Sequence, residues 1–238
     1  MTKEHLSKTI SDILPGARLT ITILPGCPDI SLYLLHPQYT GHKMSKDAGA
    51  RLTAEPMYWL FCWASGHALA TFLLDHPHMV RGKRVLDFGC GSGVAAIAAA
   101  KAGAKKVWAC DSDPCAVRAT ALNCGLNSVC VEVIKDIHTC RADLDIILAS
   151  DILYDHDNIP LLDIFRKRTP EVLMADSRVK DVDVPFFQKI AERKSVTIPD
   201  LGENAEFGDV NIYYAGHVAF REFSNQGSRT DGSSDTPV

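Results

Sequence analysis

The chain has 238 residues, 46% of them hydrophobic and 8% aromatic, and a formal net charge of −4. That length suits one ordinary domain with a substantial core. A slight acidic excess with no basic stripe excludes a nucleic-acid partner recognised by charge, and no apolar run is long enough to span a membrane.

Two short basic clusters, Lys101, Lys105, Lys106 and Arg166, Lys167, Arg168, fall near expected helix ends, where cations complement the helix dipole. None of the eight cysteines forms a C-x-x-C pair. Cys90, Cys110 and Cys130 fall in or beside expected core strands, where free cysteine packs as a small hydrophobe. This usage implies a reducing compartment. The N-terminus carries Glu4 and Asp12 and has neither a signal nor a transit pattern. The expected location is the cytoplasm, or the mitochondrial matrix if a presequence has been removed.

In chain order, Leu19, Ile21 and Ile23 alternate with polar residues, as do Ile30, Leu32 and Leu34, and Pro25-Gly26 between them predicts a β-hairpin. Residues 37–55 are polar and aperiodic, a loop long enough to bind or cover something. An apolar helix over 57–74 follows, with Trp59 and Trp63 one turn apart. Strands 83–88, 106–110, 129–134, 144–150 and 171–175 then alternate with helices 92–102, 114–124, 158–168 and 184–192. Such repeats imply an α/β fold with a parallel sheet covered on both faces. Strands 195–198 and 210–215 have no helix between them and predict an antiparallel finish. One domain is therefore expected. Residues 1–56 supply the hairpin and a substrate-side loop, 57–221 the core, and 222–238 a polar tail too poor in apolar residues to order itself.

The most informative run is Leu-Asp-Phe-Gly-Cys-Gly-Ser-Gly at 86–93, between an apolar strand and an Ala-rich helix. Gly89, Gly91 and Gly93 allow a tight turn that brings bare backbone to a ligand, while helix-start N–H groups remain free. A dinucleotide fingerprint would place its third glycine at Val94. Here an acid, Asp87, leads the loop, and a carboxylate suits a cationic amino-acid ligand while repelling a diphosphate. The reading is S-adenosylmethionine (SAM), with Cys90 in the same turn. Asp111, ending the next strand, is expected to accept the ribose hydroxyls, a feature that NAD would share. Asp113-Pro114 reads as a helix N-cap. Asp136 is expected to accept from the adenine amine, with Ile137 against the ring. No metal site is expected: Asp155-His156-Asp157 lies on one turn and cannot converge on an ion.

The fourth strand end carries the chemistry. Strand 144–150 runs into Asp151-Ile152-Leu153-Tyr154, which sets Asp151 beside the transferable methyl and Tyr154 on the same pocket. A carboxylate suits an aliphatic amine, whose nitrogen gains positive charge as it takes the methyl. A lysine of pKa about 10.4 is neutral only about one part in 2,500 at pH 7, roughly 4.6 kcal/mol uphill. Asp151 is therefore expected to orient the lone pair and hold the product cation, with the proton leaving to water.

Taken together, Tyr58-Trp59, Trp63-Ala64-Ser65-Gly66, LLDHPHMVRGKRVLDFGCGSGVAAIAAAKAGA (73–104), ACDSDP (109–114), LNCGLN (122–127) and SDILYD (150–155) resemble the seven-strand protein-lysine methyltransferases with a D-x-x-Y motif. Within them the pattern looks closest to the electron-transfer-flavoprotein β-subunit lysine methyltransferases and their bacterial relatives. The resemblance covers residues 28–217, although Trp63-Ala64-Ser65-Gly66 replaces the family's Trp-Pro-Gly-Gly. It implies a Rossmann-like seven-stranded sheet, mostly parallel with an antiparallel final strand, SAM as donor, and lysine ε-amines of a protein as acceptors. By position, Asp87, Gly89, Asp111 and Asp136 would bind SAM with Trp63 packed nearby, and Asp151 and Tyr154 would form the acceptor pocket. The implied partner is a flavoprotein subunit or a ribosomal protein, with no membrane or direct nucleic-acid contact, and the chain is expected to act as a monomer. Two alternatives stay open. One is a SAM enzyme of another acceptor class: a ribosomal-protein methyltransferase of different specificity, or a small-molecule N-methyltransferase of nicotinamide type. The other is a non-catalytic SAM-binding protein.

Overall fold

The computed structural model describes residues 3–39, 56–153, 156–179 and 185–216. Most of the expected substrate-side loop, Tyr154 and the 222–238 tail lie outside them. The chain opens with α1 (Lys3–Ile13), a helix the sequence reading leaves out. Leu6 and Ile10, one turn apart, are buried, and so is Leu14 just beyond. Strands β1 (Leu19–Leu24) and β2 (Cys27–Leu35) form the expected antiparallel hairpin, and Gly26 takes the φ of +71° that its tight turn requires.

The single helix expected over 57–74 does not form. Tyr58–Leu60 makes one 3-10 turn, and α2 runs from Ala64 to Asp75. Between them Cys62 exchanges two backbone hydrogen bonds with Ile198, which pulls the chain out of helical conformation. Trp59 and Trp63 therefore stand on different elements.

Beyond α2 the strands are β3 (Arg84–Phe88), β4 (Lys106–Cys110), β5 (Glu132–Ile134), β6 (Ile146–Ser150), β7 (Glu171–Asp176), β8 (Gln188–Lys194) and β9 (Asp209–Ala215). Among the described residues they form one seven-stranded sheet in the order β5-β4-β3-β6-β7-β9-β8. β9 is antiparallel to both its neighbours, and the pairs from β5 across to β7 are parallel. This is the expected Rossmann-like arrangement. Successive residues bury on opposite faces, as the period of a strand covered on both sides demands. Val85, Ile146 and Leu148 join α2, the Ala-rich α3 (Val94–Lys101) and β2 in one core. Leu86, Ile147 and Ala149 join α5 (Ile159–Arg168) in the other.

The helix α4 (Pro114–Leu126) carries the hairpin. Asn127 exchanges hydrogen bonds with the backbone N–H and carbonyl of Ser31, and Asn123 Oδ1 accepts from Tyr33 N–H at 2.7 Å. The edge of β2 is thus satisfied by side chains where a third strand would otherwise sit.

Two expectations at the far edge are corrected. The helix placed at 184–192 is the edge strand β8, because the backbone of β9 offers it a full antiparallel ladder and tertiary pairing overrides helix propensity. Residues 195–198 make only the Ile198 bridge, not the strand assigned to them. Strand 129–134 shrinks to β5, and Cys130, expected beside a core strand, is exposed.

Candidate cofactor and acceptor site

Strand order reverses between β3 and β6, and in an open α/β sheet a ligand lies outside the carboxyl ends at that switch. A cleft of about 1210 Å³ sits there, walled by the ends of β3, β4 and β6, the segment after β5, and parts of α1, α4 and α5. From Phe88 the chain turns through Gly89, Gly91 and Gly93 at φ of +70°, +50° and +82°, a left-handed conformation that only glycine takes without cost. The Gly89 and Cys90 N–H groups both donate to the Cys110 carbonyl, laying the turn across the sheet edge. A Cβ on Gly93 would stand 2.8 Å from Thr120 Cγ2, so α3 and α4 approach this closely only with glycine there.

Asp111 closes β4. Its Oδ2 accepts the Gly91 N–H at 2.9 Å and its Oδ1 the Asp113 N–H at 3.0 Å, so the same carboxylate that faces the cleft also shapes the glycine turn. Burial raises its pKa, while those two N–H groups oppose the rise. Asp113 caps α4 by accepting from Cys115 N–H, as its position before Pro114 predicts. Asp136 accepts from His138 N–H and caps a short 3-10 turn; it lines the cleft with Ile137 and with Lys135, which the sequence reading does not single out.

Asp87 departs from its expected place. It is 1% exposed, stands apart from the residues lining the cleft, and its Oδ2 accepts from Ala96 N–H in the first turn of α3. A free amide at the helix start takes the carboxylate that was assigned to the ligand's amine. Burial pushes Asp87 up to about 7. Burial also drives the thiols in the wall upward, Cys110 to about 12 and Cys90 well above its ordinary value, which keeps them protonated and inert as nucleophiles.

The acceptor end is built around Asp151, just past β6. Its backbone is left-handed, at φ +48°, which Asp tolerates better than most residues, and its N–H donates to the Ala175 carbonyl. Its Oδ1 accepts from Ser65 Oγ at 2.7 Å, Ser177 Oγ at 2.8 Å and Ser177 N–H at 3.0 Å. Trp63 lines the same cleft, its indole N–H donating to the Tyr58 carbonyl and its ring packed on Tyr58 and Phe61. Tyr154 lies outside the described residues. Arg178, also on the wall, is tied to Glu203 and stacked on Phe207. Sequence reading missed Ser65, Ser177 and Arg178, because their roles depend on which strand ends adjoin in space.

The residues fit SAM. Bare backbone lies at the turn, where the nearest atom to an added Gly91 Cβ is the Gly89 carbonyl at 3.9 Å, and Asp111, Asp136 and Asp151 are spaced along one wall. The strand order, the glycine turn and the carboxylates at successive strand ends thus form a Rossmann-like seven-stranded core whose cleft suits SAM.

Known proteins resemble parts of this chain. The family described as ribosomal protein L11 methyltransferase (PrmA) matches residues 68–159. The electron transfer flavoprotein beta subunit lysine methyltransferase of Mus musculus is 41% identical over 133 residues, covering 55% of this chain and 51% of that protein. Its namesake in Xenopus laevis is 47% identical over 105 residues, covering 44% and 42%. A ribosomal protein L11 methyltransferase of Acinetobacter baumannii (strain SDF) is 56% identical over 50 residues, covering 21% and 17%. The chain spans about half the length of the first of these relatives.

Proposed function

We propose that the chain is a SAM-dependent protein-lysine N-methyltransferase whose acceptor is the electron-transfer-flavoprotein β subunit or a close counterpart. The observation that carries this reading is a carboxylate, Asp151, held on the cleft wall at the end of β6 with one oxygen taken up by serines. Bound SAM would supply an electrophilic methyl carbon. A lysine that has lost its ammonium proton to water would take that methyl through its lone pair, the C–S electrons staying with the sulfur. Asp151 orients the nitrogen and stabilises the cation developing on it. Asp111 takes the ribose hydroxyls, Asp136 and Ile137 the adenine, and the Gly89–Gly93 turn the methionine portion. Asp87 acts from behind that turn by holding the start of α3.

The likeness to proteins named as flavoprotein-subunit lysine methyltransferases supports the acceptor. A ribosomal protein is the second reading, favoured by the match to the L11 methyltransferase family. The eight free thiols support a reducing compartment, the cytoplasm or the mitochondrial matrix.

Incubating the protein with tritiated-methyl SAM and a lysate of its source organism tests the proposal. One discrete labelled protein band that yields methyl-lysine on hydrolysis is expected. Label confined to small molecules, or no transfer despite SAM binding, overturns it.

A further inference from the structure

Ser65, in the first turn of α2, and Ser177, just past β7, are 0% and 2% exposed, and neither lines the cleft. Among the described residues each hydroxyl makes a single hydrogen bond, and both end on Asp151 Oδ1. With the Ser177 N–H, that oxygen receives three donors from two segments far apart in sequence. A carboxylate oxygen offers about two lone-pair directions, so three donors saturate it. Oδ2 has no hydrogen-bond partner among the described residues, although Asp151 is only half-buried and lies on the cleft wall.

We propose that Ser65 and Ser177 are positioning residues for methyl transfer: they take up Asp151 Oδ1 so that Oδ2 faces the incoming amine in one orientation. The proposal rests on the reading of Asp151 given above. Left alone, the last torsion of an Asp side chain is broad, and the carboxylate would sample many orientations. Here the serines fix that torsion, and the rest of the acceptor wall fixes the serines. Asp176 Oδ1 accepts from Arg178 N–H and Val179 N–H, shaping the turn that aims Ser177. The Ala64 N–H, one residue before Ser65, donates to Thr197 Oγ1, which donates in turn to Glu203; Arg178 is bound to the other oxygen of that carboxylate. The start of α2 and the turn after β7 thus close on one carboxylate oxygen, and the loop between β8 and β9 braces both.

A serine that merely fills space would affect stability whether or not residue 151 is an acid. A positioning serine affects turnover only while the carboxylate is present, and a double-mutant cycle separates the two. The assay is the initial rate of tritiated-methyl incorporation into lysate protein at saturating SAM, with S-adenosylhomocysteine affinity by calorimetry alongside. Ser65→Ala should lower the rate about tenfold, and Ser177→Ala about fivefold because its backbone N–H remains, with affinity changed by less than about twofold. In an Asp151→Asn background each should change the rate by less than about twofold. A variant that fails to bind S-adenosylhomocysteine is replaced by Ser→Cys, which keeps the volume and a weak donor, and the cycle is read again.

Wild-type rates in the serine variants, or equal losses in both backgrounds, overturn the clamp while Asp151 keeps its role. If the unsubstituted protein labels no protein, or Asp151→Asn turns over normally, the reading of Asp151 fails and the clamp fails with it.

Discussion

At the cofactor end of the cleft, the wall is made of short stretches contiguous in sequence: the Gly89–Gly93 turn, Asp111 with the cap at Asp113, and Asp136 with Ile137. Backbone amides do most of the work there, and the carboxylates that face the ligand also brace the turns beside them. At the other end the wall carboxylate, Asp151, is held from behind by side chains at the start of α2, just past β7 and in the loop after β8. The comparison teaches that the proposed nucleoside site is written into local turns, whereas the orientation of the Asp151 carboxylate is a property of the tertiary fold. Damage to the first should appear as lost affinity, and damage to the second as lost turnover.

Four substitutions sharpen that contrast. The largest effect belongs to Asp151→Asn, which should cut turnover about 100-fold by removing the charge that meets the developing cation. SAM affinity should survive, and a calorimetric loss of binding would place Asp151 at the wrong end of the cleft. Next comes Gly93→Ala, where a left-handed φ and a 2.8 Å approach to Thr120 Cγ2 coincide. It should cost about 2 kcal/mol in denaturant unfolding. Adding Thr120→Ser, which deletes the clashing methyl, should restore part of that; no recovery would mean the strain lies elsewhere.

Asp111→Ala should weaken SAM binding about tenfold through lost hydrogen bonds to a charged group. Unchanged affinity would remove Asp111 from the ribose. The smallest effect is a pH dependence. Burial raises Asp87 from 3.8 to about 7, so between those values the folded chain binds a proton that the unfolded chain has released. The stability this contributes is complete below about pH 4 and is lost as pH rises through about 7. Asp87→Asn should therefore gain in melting temperature relative to wild type as pH is raised from about 4 to about 8. Parallel curves would show that the carboxylate does not titrate differently on folding.

Much of the proposed cofactor end was legible in the sequence, because its groups follow apolar strands, and Gly89, Gly91 and Gly93 mark the left-handed backbone of the turn. Asp87 was legible as a position but not as a contact: which of two nearby donors the carboxylate accepts from depends on how closely α3 starts behind the turn. The acceptor end was legible only at Asp151. Ser65 and Ser177 are unremarkable residues until β6 and β7 lie side by side, with α2 above them. The helix expected at 184–192 gives way to β8 because its pairing partner, β9, lies beyond a loop in the chain; on that edge strand Lys189, Glu192, Arg193 and Lys194 discourage pairing with other chains. The helix expected at 57–74 failed for a similar reason, since a bridge to Ile198, far along the chain, breaks it. Even α1, with Leu6, Ile10 and Leu14 at helical spacing, carried a signal that went unused.

The position of β9 between β7 and β8 governs when the far edge of the sheet can close. As the chain leaves the ribosome, β8 has no sheet to join until Asp209–Ala215 emerges and supplies both its partner and its link to β7. The segment bearing Thr197 and Glu203 is strung between those two strands and reaches α2 only when they dock. The brace behind Asp151 thus closes only after that strand pair forms and is the first to go when the pair frays. A molecule in that state would keep its glycine turn and lose the hold on the Asp151 carboxylate.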